Sequence, residues 1–365
     1  MHTDIIGIFD WIKHLPHDII NLANSGVAGP LTAEELGLKA CDLPVSGDNY
    51  YGYKPLKERL AEIYKTDPEH IAITLGASLA NYAVMEAILD DGDRVTIESP
   101  AYQPFINVAE AITSRQADRV QRKSENSFQL NRSILSEIHE TKLLILSNLH
   151  NPSGAMDSKD ILINLADKVA EYGGWTLIDE VFLPFKENWL NLTSAVSHER
   201  IITTCSLTKA WGLGGLRIGW VVADPEIIRK INYHFDYLHV NQPMMTDYIG
   251  WFVLNHQDLS DQLLGSARRQ SMANWEIVRE YLKAFTQIDW VKPDGGVVVF
   301  VWFKDGRDST DFCRQLHERF NTVVTPGIYF DFPSGFRIGF SIDQEVLIKG
   351  LENLKILIEE TYEKL

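Results

Sequence analysis

Residues 206–220 of the chain read Ser-Leu-Thr-Lys-Ala-Trp-Gly-Leu-Gly-Gly-Leu-Arg-Ile-Gly-Trp. The apolar, β-branched run at residues 201–205 precedes them and predicts a buried strand that ends just before Ser206. Lys209 therefore stands at a strand exit among small hydroxyls and glycines, with Arg217 further along the same stretch. A lysine's flexible stem and its readiness to lose a proton when desolvated suit Schiff-base chemistry. A solvated lysine in a glycine-rich loop fits the same spacing, so other stretches must decide.

Length, composition and charge restrict the classes to which the protein can belong. Its 365 residues, 45% of them hydrophobic, suffice for one large domain with a smaller one appended. The formal charge of −16 argues against nucleic acid as the main partner. Cys41, Cys205 and Cys313 are far apart and odd in number, so neither a disulfide framework nor a metal cluster is indicated. Residues 1–10 lack a basic segment and no apolar run approaches membrane-spanning length, which predicts a cytoplasmic protein without a membrane partner.

Strand-like and helix-like segments alternate from residue 71 to residue 222. The predicted strands cover residues 71–74, 94–97, 142–146, 175–178, 201–206 and 217–222, and the predicted helices cover 55–64, 78–89, 102–111, 133–139 and 161–172. Several of these strands are apolar throughout, which is typical of strands covered on both faces. The pattern predicts an α/β fold with a mainly parallel sheet covered by helices. Ligands of such sheets bind beyond the carboxyl ends of the strands.

The rest of the chain has a different pattern. Residues 21–53 are rich in turn signals and predict an arm. The segments after residue 224 predict helices over 227–233, 246–254, 267–285, 311–320 and 345–362, with strands over 297–302, 322–325 and 336–340. These strands predict a smaller α+β domain with a mostly antiparallel sheet. The predicted division is residues 1–50 for the arm and part of the small domain, 51–260 for the large domain, and 261–365 for the small domain.

The residues that follow the predicted strands are the candidates for a binding site. After the first strand, Gly76-Ala77-Ser78 opens a helix whose free N–H groups suit a phosphate, although Ser78 can equally be a simple helix cap. Tyr102 follows the second strand and can stack on a planar ring or pack in the core. Asn151 lies in a polar turn after the third strand and can donate a directed hydrogen bond, while an ordinary turn explains the same composition.

Charged residues next to apolar runs need a physical explanation. Asp179 and Glu180 end the fourth strand, where an unpaired buried carboxylate is costly unless a cation such as a ring nitrogen meets it. The hydroxyls of Ser206 and Thr208, together with Arg217, can hold a phosphate after the fifth strand. Arg337 lies in an apolar strand and requires a carboxylate, which either a ligand or a structural salt bridge supplies.

In combination these motifs resemble those of the class I/II aminotransferases, which are pyridoxal-phosphate enzymes of fold type I. The resemblance covers roughly residue 21 to the C terminus. It rests on residues 206–219, on Asp179-Glu180-Val181, and on the turn at 148–154, which is similar to the family's Asn-Pro-x-Asn-Pro-Thr-Gly. It implies a large cofactor-binding domain and a homodimer with active sites at the subunit boundary. The implied reaction, part of amino-acid metabolism, moves the α-amino group of an amino acid to a 2-oxo acid.

The resemblance also implies a role for each matching residue. Lys209 would form the internal aldimine with pyridoxal 5'-phosphate. The other expected cofactor contacts are Gly76, Ala77, Ser78, Ser206, Thr208 and Arg217 around the phosphate, and Tyr102, Asn151, Asp179 and Phe182 around the ring. Tyr50 or Tyr51 resembles the arm tyrosine that reaches the phosphate of a neighbouring subunit. The expected substrate contacts are Ser25, Gly26, Asn151 and Arg337, of which Arg337 would grip the α-carboxylate.

One residue departs from the family pattern. Members commonly carry Asp-Glu-x-Tyr, and here the fourth residue is Phe182, so the phenolic oxygen of the cofactor would rely chiefly on Asn151. Losing that hydroxyl should raise the pKa of the Schiff base. The family also contains lyases, decarboxylases and cyclases that use the same lysine, and this alternative stays open.

Two other functions, a dinucleotide-binding enzyme and a ligand sensor, are compatible with parts of the sequence, and the substrate side chain is open. A dinucleotide loop at 212–214 lacks the third glycine and the following helix. A non-catalytic ligand sensor would need a DNA-binding segment, and none precedes residue 21. Aromatic residues that either line a pocket for an apolar side chain or belong to the core are Phe9, Trp11, Tyr237 and Phe332.

Overall fold

The computed structural model of the chain describes residues 5–363. Its strands are β1 (Ile20–Asn21), β2 (Ile71–Thr74), β3 (Val95–Ser99), β4 (Asp118–Gln121), β5 (Leu143–Ser147), β6 (Trp175–Asp179), β7 (Ile201–Ser206), β8 (Gly219–Val222), β9 (Ile288–Trp290), β10 (Val298–Phe303), β11 (Thr322–Val323), β12 (Thr325–Pro326) and β13 (Gly335–Gly339). Its helices are α1 (Gly7–Lys13), α2 (Lys54–Tyr64), α3 (Ala77–Ile88), α4 (Gln103–Thr113), α5 (Lys159–Ala170), α6 (Trp189–Leu192), α7 (Pro225–Leu238), α8 (Met244–Asn255), α9 (Gln257–Lys283), α10 (Thr310–Phe320) and α11 (Gln344–Glu363).

The largest sheet has seven strands in the order β2-β8-β7-β6-β5-β3-β4. The pairs β4–β3, β3–β5, β5–β6 and β6–β7 are parallel. Strand β8 pairs antiparallel with both β7 and β2. Within this sheet, β8 therefore runs antiparallel to the other six strands. This arrangement confirms the predicted fold class, a mainly parallel sheet covered by helices.

Both faces of this sheet are covered, which explains why its strands are apolar throughout. Leu143 and Ile145 of β5 pack among residues of α3, α4 and α7. Leu144 and Leu146 of the same strand pack among residues of α5 on the other face. Because successive side chains of a strand point to opposite faces, a strand buried on both sides shows no alternation of apolar and polar residues.

A second, four-stranded sheet has the order β12-β13-β10-β9 and is antiparallel throughout. A parallel pair, β1 with β11, lies apart from it. The predicted strand at 322–325 was wrong as a single element, because Thr322–Val323 pairs with β1 whereas Thr325–Pro326 pairs with β13. Residues 322–326 thus serve two sheets.

Other differences from the predictions concern short elements. The predicted helix at 133–139 is a 3-10 helix over Arg132–Ser136. β4 was not predicted, because it is an edge strand in which Val120 alone is buried. The division at residues 50 and 260 stays a prediction; the seven-stranded sheet lies within 71–222 and the four-stranded sheet within 288–339. Residues 1–4, part of the segment that predicted no targeting signal, lie outside the described residues. Between residues 5 and 363, no helix is long and apolar enough to cross a bilayer.

Candidate active site

A cavity of about 340 Å³ lies at the carboxyl ends of β5, β6 and β7. Parallel strands bring their carboxyl ends to one edge of a sheet, so residues far apart in sequence meet there. The predicted residues that line this cavity are Ser25, Ala77, Ser78, Tyr102, Asn151, Asp179, Phe182, Ser206, Thr208, Lys209, Arg217 and Arg337. Gly26 adjoins it, since a Cβ at that position would lie 3.3 Å from Lys209 Cδ.

Lys209 projects into the cavity just after β7. Its Nζ donates a hydrogen bond to Ser25 Oγ at 2.9 Å. Desolvation lowers the pKa of Lys209 to about 8, the positive charges of Arg337 and Arg217 act in the same direction, and the Asp179 carboxylate opposes them. An amine with this pKa is partly neutral near pH 7, and only the neutral amine is a nucleophile.

This lowered pKa gives a testable pH dependence. The rate at which the apoprotein takes up pyridoxal phosphate should rise with pH up to about 8 and then level off, because the neutral fraction of Lys209 saturates there. Stopped-flow absorbance across pH 6–10.5 measures the profile. In an Arg337→Gln variant the break should move to higher pH, because one of the charges that lower the pKa is gone. A rate that climbs steadily to about pH 10, as for an ordinary exposed lysine, would contradict the lowered pKa of Lys209.

Asp179 ends β6 and faces the cavity. Its Oδ2 accepts a hydrogen bond from Asn81 Nδ2 at 2.7 Å, and its Oδ1 accepts one from the Val181 backbone N–H at 2.9 Å. Burial raises the pKa of this carboxyl, while the two hydrogen bonds and the charge of Lys209 lower it. The carboxylate thus has neutral donors around it and room for a cation on the cavity side.

Asn81 is a cavity residue that the sequence analysis did not identify. It lines the cavity, and its Oδ1 accepts a hydrogen bond from Thr204 Oγ1 at 2.7 Å, which orients its Nδ2 toward Asp179. The signal was present in the spacing: Asn81 lies three residues after Ser78 on α3, and residues three apart share a helix face.

The neighbouring carboxylate, Glu180, points away from the cavity. Its oxygens accept hydrogen bonds from Thr193 Oγ1, from the Ser194 N–H at 2.7 Å and from Ser194 Oγ at 2.6 Å. Burial raises the pKa of Glu180 to about 7. The sequence placed two acidic residues together, and the strand directs them to opposite sides.

The start of α3 and the loop after β7 form a cradle for an anion. The first N–H groups of a helix have no intrahelical acceptors, and here Ala77 and Ser78 provide them beside Ser206 and Arg217. Gly76 has φ +84°, and a Cβ there would lie 2.3 Å from Arg217 Nη2. Only glycine therefore allows the guanidinium to lie across this turn, where Nη2 donates to the Leu75 carbonyl at 3.1 Å.

Arg337 lies in β13, buried at the opposite side of the cavity. Its guanidinium donates to Asn151 Oδ1 at 2.8 Å, to the Ala23 carbonyl at 2.9 Å and to Thr325 Oγ1 at 3.3 Å. These acceptors are neutral, and Nε has no partner among the described residues. Among the described residues, no carboxylate pairs with Arg337, so the structural salt bridge considered from the sequence is not formed there. Burial lowers the pKa of Arg337 to about 10, so a carboxylate from a ligand would complete the site.

Asn151 is held by a buried ion cluster that the sequence reasoning also missed. Its backbone N–H donates to Ser147 Oγ at 3.0 Å, and that hydroxyl donates to Glu98 Oε1 at 2.5 Å. Arg122 bridges Glu98 at 2.7 Å and Asp157 at 2.6 Å, all three side chains being inaccessible to solvent. Because Oδ1 of Asn151 accepts from Arg337, the amide presents its Nδ2 as a donor to the cavity.

Aromatic rings form the walls between these polar groups. The Phe182 ring is buried, with its centroid 5.8 Å from Lys209 Nζ. Tyr102 packs edge-on against Phe105, with ring centroids 5.6 Å apart, and against Phe9, with centroids 6.2 Å apart. A planar ring can lie between such walls.

The remaining aromatic candidates are divided between cavity, core and surface. Phe9 lines the cavity. Trp11 packs against Tyr329, and Phe332 packs against Phe300. Tyr237 is 90% exposed and lies outside the cavity lining.

Tyr50 and Tyr51 do not line the cavity of this chain. Tyr50 is 69% exposed, whereas the Tyr51 hydroxyl donates to Asp236 Oδ2 at 3.0 Å.

The cavity fits pyridoxal phosphate on three structural observations. The Asp179 carboxylate has neutral donors and an open side, the Gly76 turn leaves a cradle that a Cβ would fill, and the first N–H groups of α3 at Ala77 and Ser78 lie beside Ser206 and Arg217. Lys209 is the amine placed to react with an aldehyde. Between residues 5 and 363, no group of three or more His, Cys, Asp or Glu side chains is arranged to hold a metal ion.

The chain is similar to proteins of one family. The family model for aminotransferase class I and II matches residues 46–354. Capreomycidine synthase of Streptomyces vinaceus is 30% identical over 309 residues, which are 82% of this chain and 77% of that protein. Aspartate aminotransferase of Pyrococcus horikoshii is 26% identical over 321 residues, 84% of this chain and 82% of that protein. The crystal structure of a PLP-dependent aminotransferase from Streptococcus suis superposes with a TM-score of 0.86 at 25% identity and covers 99% of both chains.

The sequence match, the fold and the cavity agree. The family model spans most of the chain, and the relatives named above extend along most of it as well. The chain belongs to the class I and II aminotransferases, and pyridoxal phosphate is the cofactor of this enzyme.

Proposed function

We propose that this enzyme moves the α-amino group of an amino acid to a 2-oxo acid, with Lys209 as the catalytic residue. One observation carries the proposal: the buried guanidinium of Arg337 has only neutral partners among the described residues and lines the same cavity as Lys209 Nζ. An α-amino acid and a 2-oxo acid share a carboxylate next to the reacting carbon. One arginine can therefore hold both substrates in turn.

The roles of the other residues follow from their contacts. When bound, pyridoxal phosphate acts as an electron sink for the bond that breaks at the substrate Cα. Asp179 would hold a proton on the ring nitrogen by charge, and Asn151 Nδ2 would donate to the phenolic oxygen. Lys209 Nζ would accept the proton that leaves Cα, because its lowered pKa makes it a base near neutral pH. Phe182 excludes water from this side of the cavity without offering a hydroxyl.

A second candidate is a lyase, decarboxylase or cyclase acting at the amino-acid Cα. Two observations favour it: the 30% identity with capreomycidine synthase, and Phe182 in place of the tyrosine that family members commonly carry. Such a reaction would use the same substrate carboxylate and the same Lys209. The amino group of the substrate would not remain on the enzyme.

A half-reaction separates the two candidates. The holoenzyme is mixed with a panel of amino acids in the absence of any 2-oxo acid, and both the oxo acid released and the amino acid consumed are measured. Transamination predicts a burst of one oxo acid per active site that stops until an acceptor such as 2-oxoglutarate or pyruvate is added. Continuous turnover without an acceptor would reject transamination and support the second candidate. Lys209→Ala serves as the blank.

We also propose a cytoplasmic homodimer that binds neither membrane nor nucleic acid. Exposed apolar side chains of one region support the dimer, namely Tyr50, Tyr233, Tyr237, Leu238 and Val240. Tyr50 is joined to this region by a bridge with Asn241. Its exposure favours Tyr50 over Tyr51 as the residue that reaches the phosphate of the partner subunit, since the Tyr51 hydroxyl is already bound to Asp236.

A further inference from the structure

One wall of the cavity comes from the N-terminal helix and is apolar. Helix α1 places Ile8, Phe9 and Ile12 along the cavity, and Tyr102 and Phe105 of the α4 region line it as well. Ile8 and Ile12 are four residues apart and so share one face of α1. The charged residues of this short helix, Asp10 and Lys13, lie outside the lining.

This wall is held in place by specific contacts. The Ile8 backbone N–H donates to Gln103 Oε1 at 2.7 Å, which ties the start of α1 to the start of α4. A Cβ at Gly7 would lie 3.1 Å from the Tyr329 ring, so the helix packs closely there. The apolar face of α1 is therefore a defined part of the cavity.

The charged groups of the cavity already have partners in the proposed reaction. Among the described residues, the cationic side chains that line it are Lys209, Arg217 and Arg337, and the carboxylate that lines it is Asp179. None is left to pair with a charged substrate side chain. A charge placed against the α1 face would lose its hydration without gaining a partner, which is unfavourable.

We propose that α1 is the specificity wall of this enzyme, and that its amino-acid substrates carry apolar aliphatic or aromatic side chains. The substrate's carboxylate lies on Arg337 and its side chain lies against Ile8, Phe9 and Ile12. This inference rests on the proposed function for the amino-acid substrate, and it applies equally to transamination and to another reaction at Cα.

Binding of α-methyl amino acids tests the inference separately from the reaction. These compounds lack a proton on Cα and cannot undergo transamination, so the absorbance change of the bound cofactor, read before any decarboxylation, reports their dissociation constants. α-Methylphenylalanine and α-methylleucine should bind about tenfold or more tightly than 2-aminoisobutyrate, since each buried methylene in an apolar pocket contributes about tenfold or more. α-Methylaspartate and α-methylornithine should bind more weakly than either apolar compound.

A matched pair of variants identifies the wall. Phe9→Ala should weaken α-methylphenylalanine binding about tenfold and leave 2-aminoisobutyrate within about twofold. Trp11→Leu changes the same helix where it packs on Tyr329, outside the cavity, and should keep the parent's selectivity. Thermal melting shows that both variants are folded. Tighter binding of a charged compound by the parent, or a Phe9→Ala variant with unchanged selectivity, would overturn the inference. Failure of transamination would appear in the half-reaction and leave these affinities unaffected.

Discussion

The Lys209→Ala variant should lose activity by about 10⁴-fold or more. Proton transfer alone contributes about 10²–10⁴-fold, and the variant also loses the amine that holds the cofactor covalently. No other lysine lines the cavity within the described part of the chain. Steady-state turnover with the best amino donor measures the loss. The absorption spectrum of the variant should lack the band of lysine-bound pyridoxal phosphate, while circular dichroism should match that of the parent.

Lys168→Ala is the matched control for this substitution. Lys168 lies on α5, where its Nζ pairs with Glu171 at 2.5 Å on the protein surface. An exposed pair of this kind contributes little to stability, so the control should keep the parent's spectrum and turnover. The assignment of Lys209 fails if Lys209→Ala retains the absorption band, or if its turnover stays within tenfold of the parent.

The Asp179→Asn variant should lower kcat by about 10²–10³-fold or more. Removing one partner of a buried charge pair costs about 3–5 kcal/mol, and here the lost partner is the carboxylate proposed to keep the ring nitrogen protonated. The exchange keeps the size of the side chain. The measurements are kcat, which should fall, and the dissociation constant of pyridoxal phosphate from the apoprotein, which should rise.

Glu180→Gln is a sharp control because Glu180 is the next residue and is equally buried. Its side chain contacts Thr193 and Ser194 on the other side of the strand. Since burial raises the pKa of Glu180 to about 7, the neutral amide resembles a form that the parent already populates near pH 7. The control should keep kcat and cofactor affinity within about twofold. Equal losses in the two variants would show that Asp179 acts through the structure of the strand and not through its charge.

Most of the large sheet was predictable, because its strands are short apolar runs separated by helices of clear periodicity. Residues 201–206 were predicted as a strand and form β7 with those bounds. The single interrupted run at 322–326 was not predictable in this way. Its first half pairs with β1, near the start of the described residues, and its second half pairs with β13, which follows it in the chain. Local periodicity carries no information about which partner a residue will find.

By itself, the sequence determined which residues stand at the strand ends and which of them carry chemistry. Lys209, Asp179 and Asn151 follow from that order, since parallel strands present their carboxyl ends at one edge. Arg337 stood out for a different reason, as a charged residue inside an apolar strand. The tertiary structure alone decided the contact of Lys209 with Ser25, the partnership of Asn81 with Asp179, and the apolar wall from α1. It also decided that Asp179 faces the cavity while Glu180 faces away. The physical reason is distance along the chain: Lys209 and Ser25 are 184 residues apart, and only packing of the whole fold brings such residues together.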